Sequence, residues 1–288
     1  MPSTKKAAKT QAASGWVETI KTLVYAGLIA LFVRTIAVEP FNIPSGSMIP
    51  TLLVGDFLFV SKYSYGYSRY SIPFSPPIFG WTKTGRFLGS MPKRGDVVVF
   101  RYTRDTSVDY VKRVIGLPGD HIQVKHGQLC LYGPGVPLKP SPDPAQNICF
   151  DGKSAPVPRT FVSDYEVADN GTGTRILAKD YIEALPDGPR HDILKYSDEE
   201  HPLDAASEVD ANNTQEYVVP DNDLFMMGDN RDDSSDSRFQ NDLGFVPVEN
   251  LVGRAQFIFF SFDASSPWWQ FWWWPGEVRW SRLLKAVD

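Results

Sequence analysis

Hydrophobic positions fall into two regimes along this chain. Residues 23–33, LVYAGLIALFV, form an unbroken apolar run, and with Arg34 tolerated the run continues through Thr35, Ile36, Ala37 and Val38. That is slightly short of the roughly 20 residues a spanning helix needs. Adding residues 20–22, with Lys21 and Arg34 snorkelling at the ends, predicts a transmembrane helix over residues 20–38 preceded by a tail over 1–19. A cleaved leader needs a small-x-small site, and Val38-Glu39-Pro40-Phe41 follows instead, so an uncleaved anchor is the preferred reading. A buried amphipathic helix is the alternative.

Beyond residue 39 the apolar positions come in short runs divided by turn residues, the pattern of strands. Residues 41–43 end at Pro44, and 57–60 follow Gly55-Asp56. Runs at 95–102 and 109–115 are closed by Gly116-Leu117-Pro118-Gly119-Asp120. Residues 122–124 and 128–131 flank His126-Gly127 as a hairpin, and 216–220, 223–227 and 253–262 follow later. The rapid succession of strands with almost no helix between them predicts a mostly-β, antiparallel body over 39–132 and 217–288. Residues 63–91, rich in Tyr, Ser, Pro and Gly, read as an extended surface excursion. Residues 133–216, proline-rich and then polar, read as an inserted cap carrying a few strands, such as 159–167.

Charge adds an orientation. The formal net charge is -5. Residues 1–38 carry Lys5, Lys6, Lys9, Lys21 and Arg34 against Glu18, which leaves the body strongly acidic and argues against nucleic-acid binding. Four basic residues precede the apolar run, and after Arg34 the next is Lys62. The N-terminus is therefore expected in the cytoplasm and the body outside. In that compartment Cys130 and Cys149, whose spacing fits neither a CxxC motif nor a zinc site, are expected to pair, two free thiols being the alternative. The stretch Trp268-Trp269-Gln270-Phe271-Trp272-Trp273-Trp274 suggests contact with lipid, with core packing or a partner surface as alternatives.

Candidate chemistry centres on Pro44-Ser45-Gly46-Ser47-Met48-Ile49-Pro50-Thr51. Nine residues of extended chain reach at most about 30 Å, so Ser47 stays near the bilayer. A nucleophilic serine needs a base. His121 and His126 sit at turns, and His191 and His201 lie in the polar insert. None has acid neighbours suited to a triad, and no HExxH spacing occurs. Lysine remains. In residues 109–115 strand alternation puts Tyr110, Lys112 and Val114 on one face, so Lys112 has apolar neighbours that would lower its pKa towards that of a usable base. A solvated lysine on an exposed strand is the ordinary alternative.

Taken together, PSGSMIPTL (44–52), RGDVVVF (94–100), YVKRVIGLPGD (110–120), GDNRDDSSDSR (228–238) and GFVPVENLVGRA (244–255) resemble the bacterial type I signal peptidases, in the family's order. These are membrane-bound serine proteases that remove signal peptides from exported preproteins. The resemblance implies Ser47 as nucleophile, Lys112 as general base, and the Ser45 hydroxyl and Ser47 N–H as oxyanion hole. It also implies Ser234 as the group orienting Lys112, and Asp236 with Arg238 as a supporting ion pair. Groove walls for small residues, usually alanine, match Phe41, Ile43, Leu52, Asp56, Phe57, Leu58 and Val111. No cofactor is implied. The expected partners are signal peptides and membrane lipid, and the expected place is the outer face of the bacterial inner membrane. Two departures stand out. No second transmembrane segment is visible within 63–91, and Phe239-Gln240-Asn241-Asp242-Leu243 is longer than short versions of the last motif. A related Ser-Lys protease with another substrate, or a membrane-tethered binding factor without activity, are the rival readings.

Overall fold

The computed structural model describes residues 4–72, 75–76, 85–168, 175–196, 210–263 and 274–287. Helix α1, Thr4–Ile36, opens the chain. Its segment Trp16–Ile36 is 21 residues long with a mean hydropathy of 1.6, enough by length and composition to cross a membrane, and none of its most apolar stretch is packed inside the protein. The helix stops two residues short of the expected 20–38 span. The Ala37 carbonyl accepts the Lys62 N–H at 3.0 Å, and Val38 is already paired with Ser61, so the sheet claims those residues.

The body is built from β1 (Val38–Asn42), β2 (Asp56–Ser61), β3 (Val97–Arg101), β4 (Asp109–Gly116), β5 (His121–Lys125) and β6 (Gln128–Tyr132). These are followed by β7 (Arg159–Ala168), β8 (Arg175–Ala184), β9 (Arg190–Lys195), β10 (Asp223–Met227) and β11 (Leu251–Ser261). The main sheet runs β1-β2-β11-β3-β4-β10, with the two-residue strand Val246–Pro247 at its edge, and every pairing in it is antiparallel. Alternation along β2, β3 and β11 drives Leu58, Val60, Val97, Val99, Val252 and Ile258 into one core that also holds Met48 and Leu52. A second core joins Ile115, Ile122, Leu129 and Phe225. The β5–β6 hairpin turns on His126 and Gly127, both at positive φ (46° and 65°), as a two-residue turn matched to strand twist requires.

The described part of 63–91 is a surface excursion only in part, exposed at Tyr63 and over 87–91 but anchored in the body between them. Tyr65, Ser68, Tyr70, Ser71 and Arg86 are buried. The Arg86 guanidinium donates to the carbonyls of Tyr65 (2.8 Å), Gly66 (2.6 Å), Val248 (3.1 Å) and Leu251 (2.7 Å), and burial lowers its pKa to about 10. With a longer contact to the Glu249 carbonyl at 3.3 Å, one charged side chain thus satisfies five carbonyls that a turn-rich composition would leave for water.

The insert carries the three-stranded antiparallel sheet β9-β8-β7. Its return segment leans on the β5–β6 hairpin, where the Thr214 N–H donates to the Val124 carbonyl at 2.9 Å and the Gly127 N–H to that of Asn212 at 3.0 Å. Cys130 of β6 is disulfide-bonded to Cys149 with Cα atoms 5.7 Å apart, so the two are not free thiols. Trp268 to Trp273 lie outside the described residues, and Trp274 opens the short helix Trp274–Glu277.

Candidate active site

The Ser47 turn is fastened from beneath and behind. Met48 and Leu52 are buried in the main core, and the Leu52 N–H donates to the Met48 carbonyl at 2.9 Å. From the motif loop after β10, Asn230 gives its backbone N–H to the Ser47 carbonyl and its side-chain Nδ2 to the Gly46 carbonyl, both at 3.1 Å. The serine opens into a cleft lined on one side by Phe41, Asn42, Ile43 and Ser45 and on the other by Val108, Asp109, Tyr110, Val111 and Lys112, with Asp233 and Ser235 completing it.

Lys112 projects from β4 with its Nζ 2.6 Å from Ser47 Oγ. It is only 4% exposed, and the Tyr110 ring lies 5.6 Å from Nζ. Burial lowers its pKa to about 8, against the opposing pull of the Asp236, Asp229 and Asp233 carboxylates. Ser45 Oγ is 3.5 Å from Ser47 Oγ.

The motif loop is held by paired charges. Asp236 takes Arg238 bidentately, Nε to Oδ1 and Nη2 to Oδ2, both at 2.9 Å, and Asp236 Oδ2 also accepts the Gly228 N–H at 3.1 Å. Burial pushes Asp236 upward, but Arg238 and that N–H prevail and hold it below the usual carboxylate range. Asp229 is paired the same way with Arg113, at 2.8 and 2.7 Å, and accepts the Thr51 hydroxyl at 2.6 Å.

The hydrogen bond expected from Ser234 to Lys112 is absent. Ser234 is buried, and its Oγ has no partner among the described residues. It packs instead over Gly228, where an added Cβ would lie 2.3 Å from Ser234 Oγ and 2.5 Å from the Ser47 carbonyl oxygen. Gly228 is therefore the residue that lets the motif loop and the Ser47 turn approach each other.

Of the expected groove walls, Phe41, Ile43 and Val111 line the cleft, whereas Leu52, Asp56, Phe57 and Leu58 do not. Strand β2 is covered by β1 on one edge and β11 on the other. Leu52 and Leu58 are core residues, and Phe57 packs on Phe259 and Phe260. Asp56 is fully buried, accepting from the Ser261 hydroxyl (2.6 Å) and the Leu53 N–H (2.8 Å) and pairing with Arg282. Tyr110 was within reach of sequence reasoning, since alternation puts it on the face of Lys112. Asn42, Asp233 and Ser235 carry no such signal. His121, His126 and His191 are not part of the cleft lining, and His201 lies outside the described residues.

A profile of the family described as signal peptidase, peptidase S26, matches residues 16–260. Signal peptidase I of Rickettsia conorii is 38% identical over 253 residues, covering 87% of this chain and 79% of the relative. That of Rickettsia canadensis is 37% identical over 267 residues, covering 92% and 84%. A crystal structure of a signal peptidase I from Enterococcus faecalis is 22% identical and covers 57% of this chain and 97% of its own, but its TM-score of 0.27 is too low to inform the comparison of folds. A mostly antiparallel β body behind one apolar helix, a serine and a buried lysine in contact within a cleft, and a match over most of the length lead to one assignment: this chain is a peptidase of the signal peptidase family, S26.

Proposed function

We propose that the protein is a membrane-anchored signal peptidase that cuts preproteins with Ser47 as nucleophile and Lys112 as general base. The observation that carries the reading is the 2.6 Å contact between Lys112 Nζ and Ser47 Oγ, made by a buried lysine. A neutral amine there accepts the hydroxyl proton as Oγ attacks the scissile carbonyl. The Ser47 N–H and Ser45 hydroxyl then stabilise the oxyanion. The Lys112 ammonium returns the proton to the departing amine, leaving an acyl ester on Ser47. Deacylation follows when Lys112 takes a proton from water as its oxygen attacks the ester; the ester C–O bond breaks, Ser47 Oγ leaves and recovers the proton from Lys112, and the carboxyl product departs.

Specificity for small residues before the cut follows from the cleft walls at Phe41, Ile43 and Val111. An extended substrate has backbone to pair with. Among the described residues strand β1 is paired only with β2, and β10 covers β4 only from Arg113 to Gly116, which leaves 109–112 open on that side. Helix α1 supplies the anchor, its basic N-terminal side in the cytoplasm and the body at the outer face of the inner membrane. Its exit is fixed to the body by Glu39, which pairs with Arg34 and with Lys62, both at 2.8 Å. Ser47→Ala and Lys112→Ala are expected to abolish cleavage of a preprotein in detergent while the protein stays folded, and full activity in either variant defeats the dyad. Protease access to tagged ends in membrane vesicles tests the topology, and a body facing the cytoplasm defeats the export reading.

A further inference from the structure

The Ser47 N–H that the proposed mechanism uses as an oxyanion donor belongs to the same peptide unit as the Gly46 carbonyl. A peptide unit is planar and trans, so its C=O and N–H point in opposite directions. Whatever pins the Gly46 oxygen therefore aims the Ser47 N–H. That oxygen accepts Nδ2 of Asn230 from the motif loop and the Ile49 N–H from within its own turn, both at 3.1 Å, and the neighbouring Ser47 carbonyl accepts the Asn230 backbone N–H at 3.1 Å.

Asn230 is itself held by the insert. Its Nδ2 also donates to the Tyr196 hydroxyl at 3.3 Å, so each amide hydrogen has an acceptor, and Gly46 O demands that the nitrogen face it. Leu194, near the end of β9, forms an isolated parallel bridge with Asn230. The Leu194 N–H donates to the Asp229 carbonyl at 2.9 Å, and its own carbonyl accepts the Arg231 N–H at 3.0 Å. The flanks are locked by buried charges. Lys195 Nζ lies 2.5 Å from Asp232 Oδ1, the Tyr196 N–H donates to Asp232 Oδ2 at 2.7 Å, and Arg231 takes Glu183 of β8 bidentately at 2.8 and 2.5 Å.

We infer that Asn230 is a positioning residue for the oxyanion donor, and that the inserted sheet acts in catalysis by fixing it through Leu194 and Tyr196. The insert is then a brace for the Gly46–Ser47 peptide unit. This inference rests on the peptidase mechanism proposed above and deepens it.

Steady-state cleavage of a preprotein by the full-length protein in detergent tests the brace. Asn230→Ala, and the isosteric Asn230→Asp that turns an acceptor toward Gly46 O, are expected to lower kcat by about 10- to 100-fold with KM within about two-fold, as a misaimed oxyanion donor does. The acid limb of the pH profile should stay in place in Asn230→Ala, because the base is untouched. Tyr196→Phe, which removes only the hydroxyl, is expected to cost about three- to ten-fold in kcat, and it carries the test if the Asn230 variants do not fold. Leu129→Ala, at a buried position of β6 in the second core, away from the brace, is the stability control. The brace is overturned if folded Asn230 variants, or Tyr196→Phe when those do not fold, keep the wild-type kcat. It is equally overturned if Leu129→Ala at a matched loss of thermal stability loses as much kcat. Ser47→Ala runs alongside. If it stays active the dyad itself falls, whereas a dead Ser47→Ala beside a fully active, folded Asn230→Ala sinks only the brace.

Discussion

Replacing Lys112 by methionine should abolish activity and make the protein more stable at neutral pH. Burial holds the lysine at about 8, against an ordinary value of 10.5. Each pKa unit corresponds to about 1.4 kcal/mol, so keeping the side chain charged in the fold at pH 7 costs about 3 kcal/mol. The folded pKa lies below the unfolded one, so between about pH 8 and 10.5 the unfolded chain binds a proton that the folded chain does not, and stability rises with pH across that window. Below it the whole penalty applies, and above it none does. Methionine fills a similar volume without charge and forfeits the contact with Ser47, worth about 1 kcal/mol. The net gain at pH 7 is about 2 kcal/mol, or roughly 4–8 °C in Tm for a body of this size. Thermal unfolding of both proteins in detergent, followed by near-UV circular dichroism from pH 6 to 10.5, measures it. The advantage of the variant should be largest below pH 8 and gone by the top of the range. Wild-type cleavage over the same range should rise about ten-fold per pH unit until it levels near 8. A variant less stable than wild type at pH 7, or a difference that does not change with pH, refutes the desolvated-base argument.

Gly228→Ala places a Cβ 2.5 Å from the Ser47 carbonyl oxygen, which backbone cannot yield easily, so a loss of about 1–3 kcal/mol in denaturant unfolding and about 100-fold in kcat is expected. Asp56→Ala leaves Arg282 and Ser261 without their acceptor and should cost about 3 kcal/mol of stability, with KM of the folded enzyme unchanged. A ten-fold rise in KM without that loss returns Asp56 to the substrate groove. Reducing the Cys130–Cys149 bridge, which closes a loop of sequence separation 19, should lower stability by about 3 kcal/mol while cleavage at 25 °C persists, measured by thermal scans with and without dithiothreitol.

Short apolar runs bounded by turn residues marked most of the main sheet, whose strand β3 is buried on both faces, and period-two alternation put Tyr110 beside Lys112. The groove residues Leu52, Asp56, Phe57 and Leu58 are implied by the resemblance alone and do not line the cleft, since β2 has both edges paired and edge position is not written in a strand's own pattern. Arg86 escaped notice for a related reason. Its hydrogen-bond partners are backbone carbonyls of residues 65, 66, 248, 249 and 251, which no side-chain pattern marks. Ser234 lies buried in the motif loop with no partner for its hydroxyl among the described residues: a motif fixes which residues sit in a loop but not which way a hydroxyl turns.

The composition of the motif loop, opaque as a string, follows from where its charges go. Asp229 meets Arg113 of β4, Arg231 meets Glu183 of β8, Asp232 meets Lys195 of β9, and Asp236 meets Arg238 within the loop. Each pair is buried, and each of the first three joins the loop to a different strand. A buried pair adds little net stability, but breaking one is expensive, so four of them restrict the loop to a single arrangement. That restriction suits a site whose proposed base is a desolvated lysine. Lys112 is destabilising where it stands, and relaxation towards solvent would restore both its proton and its ordinary pKa. Fixing Asp229 and Asp236 in their own ion pairs also limits how strongly those carboxylates can raise the lysine again, since each negative charge is met by its own cation. The alternation of acids and arginines around Gly228 is thus how the fold keeps an amine dry beside carboxylates without letting it become an ammonium in a salt bridge.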